Sequence, residues 1–381
     1  MDKDSQKPLG FRPKYTPLEP GRLLNAFAAA SIYAFQTRQV WGLAATFKTY
    51  LNTNRWFLQS WVRGVRKSDL SAPPQRSANI KPVTLLTFTI YPELARVWYY
   101  YANLHVDKNL VEIMIVDCSG RLDPKKFPNA RIIPFCNFSH ARKLDFFTRY
   151  VISSPYIWLS DDDVMIVAGD AFGRAYQRIS QDPGLAVISF APRGWSFKID
   201  GKAYPVMGTY NILFSREIFN QEALSFSPVQ SLKPEIGRTQ GYYDTSDYAN
   251  EQLLLRGYEV EAFEGDGGQS TCGFVGASTI LMNLLTSRDP QRELKNELSS
   301  KPEIASYHLV GLFCHLKIAL LFQNIYQEKP DWAPLYSEEA LRELACELPE
   351  QIKEKTYGLF ERYEQHYRLL IGQVKGSRIS G

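Results

Sequence analysis

Three consecutive aspartates, Asp161 to Asp163, stand between two short apolar runs and constrain how this chain can fold. The first run, Tyr156 to Leu159, has the composition of a buried strand, and apolar residues resume at Val164. Adjacent carboxylates repel each other and lose hydration when they lie at the end of a buried strand. A hard divalent cation relieves both costs, because Mg²⁺ and Mn²⁺ take oxygen ligands and also bind phosphate oxygens. The pattern favours a strand that ends in a metal-binding turn over a solvated acidic turn that caps a helix.

Strand-like and helix-like segments alternate on both sides of these aspartates. The predicted strands are Val83–Thr89, Val111–Val116, Arg131–Phe135, Tyr156–Leu159 and Leu185–Phe190. The predicted helices between them are Glu93–Leu104, His140–Ile152 and Phe172–Ser180. Such alternation predicts an α/β fold with a mainly parallel sheet, in which ligands bind at the carboxyl ends of the strands. Asp117 and the three aspartates both follow predicted strands, so we expect them at that edge.

The pattern changes beyond residue 190. The sequence there predicts a hairpin over Ser196–Val206 and a strand over Thr209–Phe214. A helix is predicted over residues 244–256, with Asp244 as its N-cap, Asp247 in its first turn and Gly257 as its stop.

The chain divides into five predicted segments. Residues 1–20 are rich in proline and charge, so we expect a disordered tail. Residues 21–70 are predicted to form a basic, aromatic helical extension, and the proline-containing residues 71–80 a linker. An α/β domain is predicted over residues 81–290, followed by a helical region over residues 291–381.

The predicted helical extension is basic over most of its length. Residues 21–67 contain no Asp or Glu but seven Lys and Arg residues, interleaved with Trp41, Trp56 and Trp61. One interpretation is an amphipathic surface that binds anionic lipid. A nucleic-acid surface is the least favoured interpretation. The most favoured is a helical pair packed on the α/β domain with its basic residues solvated.

Composition narrows the class of protein. The five cysteines are widely spaced and lack a CxxC pair, which argues against a disulfide framework or a zinc site and favours a reducing compartment. The N-terminus does not have the pattern of a signal peptide, and the most apolar stretches, Leu23–Phe35 and Leu309–Phe322, are short for a membrane span. We expect a cytoplasmic protein, with peripheral binding to the inner face of the membrane if the extension binds lipid.

The aspartate cluster, Asp117 and the segment from Asp244 to Val260 together resemble the GT-A fold of nucleotide-sugar glycosyltransferases, and the likeness is closest to family 2 members. It covers roughly residues 81–275. The resemblance implies a DxD-type motif that holds Mn²⁺ or Mg²⁺ on the donor diphosphate. It also implies a catalytic carboxylate on a helix that ends at a Gly-Tyr turn, which Gly257 and Tyr258 match. The contiguous Glu-Asp pair of that family is absent here.

The resemblance implies roles for individual residues. Asp163 is the expected direct metal ligand, and Asp161 is expected to contact the ribose or the metal through water. Spacing to the Gly-Tyr turn makes Asp247 the first candidate for general base and Asp244 the second. A histidine from the C-terminal region supplies a further metal ligand in many such enzymes, and His308 is preferred here over His315. The expected contacts to the nucleotide donor are Asp117, Arg142, Lys143, Asp161 and Asp162.

The sequence therefore predicts a metal-dependent glycosyltransferase that moves a hexose-type sugar from a nucleotide diphosphate donor to a hydroxyl, with inversion. The expected acceptor is a lipid-linked glycan or polysaccharide; a modified nucleic-acid base or a protein hydroxyl is the alternative. A nucleotidyltransferase is disfavoured, because no glycine-rich phosphate loop follows Val83–Thr89. A catalytically inactive binding or scaffold protein is the remaining alternative.

Overall fold

A computed structural model describes residues 80–118, 122–135, 140–190, 196–199, 201–227, 245–263, 270–274, 277, 290–330, 334 and 336–379. The predicted tail, the basic extension and residues 71–79 of the linker lie outside the described residues. Their assignments stay predictions.

The α/β unit is built on one central sheet. Its strands are β1 Val83–Thr89, β2 Val111–Asp117, β3 Ala130–Pro134, β4 Tyr156–Ser160, β6 Leu185–Ser189, β9 Asn211–Ser215 and β10 Glu259–Ala262. Two small antiparallel pairs are β5 Val164–Ile166 with β11 Thr271–Gly273, and β7 Ser196–Ile199 with β8 Lys202–Pro205. The central order is β10-β6-β9-β4-β1-β2-β3, with β9 antiparallel to both neighbours and the other pairs parallel. The predicted α/β class with a mainly parallel sheet is confirmed.

Helices follow most strands, and the end of the chain is helical, as predicted. The α-helices are α1 Pro92–His105, α2 His140–Phe146, α3 Asp170–Gln181, α4 Arg216–Gln221, α5 Asp247–Leu255, α6 Pro290–Ser300, α7 Pro302–Tyr326, α8 Glu338–Cys346 and α9 Glu350–Ile379. A short 3₁₀ turn covers Pro124–Lys126.

The sheet is buried on both faces, which explains the continuous apolar runs of its strands. Alternate residues of one strand enter different cores: Leu85 packs into one cluster and Leu86 into the other. Trp158 and Leu159 of β4 divide in the same way. The first cluster includes residues of α1, α3, α7 and α9, and the second includes residues of α2, α4 and α5.

Two predicted helices differ in detail. The helix predicted over 140–152 is α-helical only to Phe146 and continues as a π-helical turn over Phe147–Val151. The assignment of Asp244 as an N-cap is wrong, because the helix begins at Asp247 and its N-cap is Ser246. Ser246 has φ +75°, a left-handed conformation that interrupts any helix at this residue.

Helix α7, in the C-terminal region, is longer than the apolar stretch Leu309–Phe322 suggested. Among the described residues it is the one helix long and apolar enough to cross a membrane, and 72% of its most apolar window is buried inside the protein. That burial, including Leu309, Phe313 and Phe322 in the core, is what a central helix of a globular domain shows.

A buried lysine ties α7 to the two helices that follow. The ammonium of Lys317, 3% exposed, lies 2.6 Å from a Glu338 carboxylate oxygen on α8 and 2.5 Å from a Glu364 carboxylate oxygen on α9. Burial alone would raise the pKa of Glu364, but hydrogen bonds from Lys317 and Arg368 outweigh it and hold that pKa below its ordinary value. Burial would likewise raise the pKa of Glu338, but its hydrogen bonds with Lys317 and Arg342 outweigh burial and lower that pKa. The three charges join α7, α8 and α9.

We expect Lys317→Met to lower the free energy of unfolding by about 2 kcal/mol at pH 7, because it leaves two partly buried carboxylates unpaired. Since these carboxylates have lowered pKa values in the folded protein, the stabilisation is present at neutral pH and is lost as the pH falls through those values. Denaturant unfolding at pH 7 and pH 4 measures both. Lys353→Met, which removes a pair with the exposed Glu350, is the control and should cost under about 1 kcal/mol. Equal losses for both variants would contradict the prediction.

Candidate functional site

The three aspartates form a tight turn at the end of β4. The Asp161 amide donates to the Tyr210 carbonyl at 2.9 Å, and the Val164 amide donates to the Asp161 carbonyl at 3.0 Å. The second bond closes a four-residue turn in which Asp162 and Asp163 are the central residues. Asp161 is half-buried, whereas Asp162 and Asp163 are buried. The predicted strand-end aspartate turn is therefore present.

Asp162 belongs to a cluster of charges around the buried thiol of Cys118. The Lys143 ammonium, also buried, donates to Cys118 Sγ at 3.4 Å. Burial raises the pKa of Cys118; Lys143 opposes that rise, while Asp117 and Asp162 add to it. Three residues that the sequence assigned to the donor site, Asp117, Lys143 and Asp162, thus come together from β2, α2 and the aspartate turn.

Asp117 also shapes the chain after β2. Its Oδ2 accepts a hydrogen bond from the Leu122 amide at 3.1 Å, the contact expected of an aspartate in a turn. The side chain of Arg142, the other predicted basic donor contact, lies outside the described residues.

Asp163 is within electrostatic range of the C-terminal helices. Partial burial raises the pKa of Tyr307 on α7, and the negative charge of Asp163 adds to the rise. Burial and then Asp163 raise the pKa of Cys314 on the same helix, and Asp163 also contributes, after burial, to the raised pKa of Tyr363 on α9. Sequence reasoning missed Tyr307 and Tyr363, because neither stands in a short motif and both are far from Asp163 along the chain.

The backbone of Asp163 is hydrogen-bonded to the residue that follows β11, the partner strand of β5. The Phe274 amide donates to the Asp163 carbonyl at 2.8 Å, and a Cβ added to Gly273 would lie 2.9 Å from that carbonyl oxygen. His366 of α9 donates from Nδ1 to the Gly273 carbonyl at 2.8 Å. Burial lowers the pKa of His366 below its ordinary value, against the opposing effect of the hydrogen bond to Gly273. His366, which the sequence did not single out, thus contacts Gly273, the residue next to the Phe274 amide that binds the Asp163 carbonyl.

The two histidines named from the sequence make other contacts. His308 Nδ1 lies 2.6 Å from a carboxylate oxygen of Glu297 on α6. His315 donates from Nε2 to the Ala277 carbonyl at 2.7 Å, and burial lowers its pKa to about 4. One ring nitrogen of each histidine therefore already contacts another protein group, and the metal role of His308 stays a prediction.

Asp247, the first candidate base, begins α5 and is fully buried. The residue before it, Ser246, is also buried and is held in its left-handed conformation by donating from Oγ to the Met207 carbonyl at 3.1 Å. Asn250, one turn further along α5, donates to the Pro205 carbonyl at 3.3 Å. Non-glycine residues in this conformation cost of order 1–3 kcal/mol and occur preferentially at functional sites. Asp244, the second candidate base, lies outside the described residues.

One short segment, residues 207–210, anchors both the aspartate turn and the start of α5. The Tyr210 carbonyl binds the Asp161 amide, and the Met207 carbonyl binds the Ser246 hydroxyl. Three residue steps of extended chain span no more than about 11 Å, so the two anchors are close. Gly208 leaves room for the Tyr210 ring, because a Cβ at residue 208 would lie 2.3 Å from that ring and would force it to move. The aspartate turn and Ser246, the residue before the predicted base, are therefore both hydrogen-bonded to the segment that leads into β9.

In the described part of the chain, no group of three or more His, Cys, Asp or Glu side chains is arranged to hold a metal ion. Magnesium commonly binds through one or two carboxylates, with substrate phosphates and water as the other ligands. The hard oxygen donors of the aspartate turn fit an ion bound in that way, and they do not fit a closed structural metal site.

No protein-family model and no curated protein matches this sequence. Solved structures match it at low similarity. Mannosyltransferase PcManGT from Pyrobaculum calidifontis, in complex with GDP-Man and Mn²⁺, is 14% identical, with 92% of this chain and 98% of that chain covered and a TM-score of 0.36. S. aureus TarS 1–349 is 11% identical, with 78% and 92% covered and a TM-score of 0.35. A 4-diphosphocytidyl-2C-methyl-D-erythritol synthase from Anaerococcus prevotii is 9% identical, with 50% and 91% covered and a TM-score of 0.30. Function is therefore argued from the residues of the site.

We expect Gly273→Ala to destabilise the protein by about 1–3 kcal/mol, because the new methyl group meets the Asp163 carbonyl and two paired strands must move apart. Thermal unfolding with and without Mn²⁺ measures the stability and any loss of metal binding. Gly358→Ala is the matched control: no atom lies within 4 Å of its added Cβ, and alanine favours the α9 helix. A Gly273→Ala protein as stable as wild type would show that β11 does not constrain the aspartate turn.

Proposed function

We propose that this protein is a metal-dependent glycosyltransferase that transfers a sugar from a nucleotide diphosphate sugar to a hydroxyl acceptor with inversion. The observation that supports the proposal is that the aspartate turn and Ser246, the residue before α5, are both hydrogen-bonded to the segment 207–210. A buried carboxylate at one side of that segment and an oxygen-donor turn at the other are the two parts such a transfer needs.

In this proposal the nucleotide side of the donor lies against the cluster around Cys118. Asp117 would accept from a nucleobase N–H or a ribose hydroxyl, and Lys143 and Arg142 would neutralise diphosphate charge. The contact of the Lys143 ammonium with the Cys118 thiol supports this, because Asp117 and Asp162 also act on the pKa of that thiol, so the cation and the two predicted donor contacts share one region.

Asp163 would hold the metal directly, Asp161 would contact it through water or bind the ribose, and His308 is the proposed further ligand. A bound Mn²⁺ or Mg²⁺ would neutralise the charge that develops on the departing diphosphate. The turn hydrogen bonds of Asp161 and the Phe274–Asp163 bond fix the backbone of both carboxylates before the donor arrives. Such fixed geometry lowers the cost of organising the site during the reaction.

Asp247 would take the proton from the acceptor hydroxyl. A helix N-terminus lowers the pKa of a carboxylate, so the basicity must come from loss of water around it. The complete burial of Asp247 supports that condition. Asp244 is the alternative base.

The acceptor would be a glycan, with a lipid-linked glycan favoured by the acid-free, tryptophan-containing residues 21–67. A nucleic-acid base or a protein hydroxyl is the alternative acceptor. Sedimentation of the full chain with anionic but not neutral vesicles, weakened by salt, tests peripheral binding to the inner membrane face.

We expect hydrolysis or transfer of one nucleotide sugar in a donor panel with Mn²⁺, loss of that activity in EDTA, and loss in Asp163→Asn with the fold retained. Release of a nucleoside diphosphate from the nucleotide sugar separates the alternatives, since a nucleotidyltransferase instead takes a nucleoside triphosphate and a sugar phosphate and releases pyrophosphate. Asp170→Asn, which changes an exposed aspartate at the start of α3, is the control and should keep full activity. Full turnover in EDTA would remove the metal from the mechanism.

We expect Asp247→Asn to lower kcat by at least about 10²-fold, with affinity for the donor little changed, as loss of general-base assistance predicts. Steady-state kinetics and calorimetric titration with a nucleoside diphosphate and Mn²⁺ measure the two quantities. If Asp244→Asn produces this loss and Asp247→Asn does not, Asp244 is the base.

A further inference from the structure

Asp145, on the last turn of α2, has no role in the proposed chemistry, yet it collects three hydrogen bonds. One carboxylate oxygen accepts from the Phe226 amide at 2.8 Å. The other accepts from the Ser225 hydroxyl at 2.6 Å and the Ser227 hydroxyl at 3.3 Å. Burial raises the pKa of Asp145 in spite of these bonds, so the protein keeps a desolvated carboxylate here.

A second side chain from the same helix reinforces this contact. Arg149 lies in the π-helical turn Phe147–Val151 and donates to the Leu224 carbonyl at 2.6 Å. Asp145 and Arg149 thus fix consecutive residues of one chain segment from one helix. π-Helical turns are rare in proteins as a whole, and those that occur are often at functional sites.

The segment held by Asp145 is bonded directly to the residue before the candidate base. The Phe226 carbonyl accepts from the Ser246 amide at 2.9 Å, and Ser246 precedes Asp247. Phe226 is itself fully buried and stacks on Phe219 at 4.3 Å between ring centroids. Both peptide groups of Phe226 are therefore used: its N–H points to Asp145 and its C=O to Ser246.

We propose that Asp145 is a positioning residue for Asp247, acting through Phe226 and the left-handed Ser246. This inference rests on the proposed function, in which Asp247 is the general base. A left-handed serine is held only where surrounding contacts over-determine it. Ser246 donates from its hydroxyl to the Met207 carbonyl and from its amide to the Phe226 carbonyl, and Asp145 fixes the second acceptor.

The test is a kinetic double-mutant cycle with Asp145→Asn and Asp247→Asn in the full chain, assayed with Mn²⁺ and the nucleotide sugar that the panel identifies. The asparagine keeps the shape but removes the negative charge, so the charge-assisted hydrogen bonds from the Phe226 amide and the two serine hydroxyls become weaker. We expect Asp145→Asn alone to lower kcat on the order of 10- to 100-fold, with the donor KM unchanged, because a small displacement of a base is costly. In the Asp247→Asn background the same change should cost less than about twofold, since coupled residues are not additive.

Two further variants keep the test independent of folding. Ser225→Ala removes one of the three bonds and should give a smaller loss of kcat in the same direction. Asp182→Asn is the control, because Asp182 also anchors a loop, accepting from the Gly184 amide at 2.9 Å and from Arg178 at 2.7 Å, but at the opposite edge of the sheet. It should leave kcat unchanged.

The outcomes separate this inference from the function on which it rests. Full turnover in Asp247→Asn would overturn the assignment of the base. An impaired Asp247→Asn enzyme, together with an unimpaired Asp145→Asn enzyme, would overturn the positioning role alone. Equal losses from Asp145→Asn in both backgrounds would also overturn it, because they would show that Asp145 does not act through Asp247.

Discussion

The antiparallel strand β9 sets the geometry of the whole site. It lies between β4 and β6, so its first residue, Asn211, pairs with Ser160 at the edge where the parallel strands end. That register brings residues 207–210 to the carboxyl edge and gives the Asp161 amide a partner in the Tyr210 carbonyl. A backbone amide at the end of a buried strand needs such a partner. If β9 ran parallel to its neighbours, its first residue would lie at the opposite edge.

The aspartate turn is also supported from the side of the C-terminal helices. β11 bonds to the Asp163 carbonyl, and His366 of α9 bonds to β11. Gln373, two turns further along α9, donates to the Val167 carbonyl after β5. The ion cluster around Lys317 joins α9 to α7 and α8, so these supports belong to one packed helical unit. A site fixed by a packed unit loses less conformational freedom when it binds its substrate.

The two sides of the turn have different chemistry. Asp162 lies with Asp117 and Lys143 around a buried thiol, whereas Asp163 lies near Tyr307 and Cys314. Successive residues of a tight turn point in different directions, so two adjacent aspartates serve two separate environments. In the proposed function, Asp162 would face the nucleotide part of the donor and Asp163 the metal.

Local sequence patterns were sufficient for six of the seven strands of the central sheet and for the aspartate turn, but they did not predict β10. Continuous apolar runs such as Val83–Thr89 predicted strands buried on both faces, and their order along the chain predicted a mainly parallel sheet. The spacing to Gly257 selected Asp247, but the helix start was placed at Asp244. Serine rarely adopts the left-handed conformation of Ser246, so no local rule would have ended the helix there.

By itself the sequence determined the strand order along the chain, the carboxylates at strand ends and the helical character of the C-terminal region. Only the tertiary structure decided that β9 is antiparallel, that His366 bonds to β11 beside the aspartate turn, and that Asp145 reaches Ser246 through Phe226. The physical reason is the range of the interactions. Hydrophobic periodicity and turn chemistry act between neighbours in sequence, whereas these contacts join residues distant in the chain, whose encounter depends on how the whole core packs.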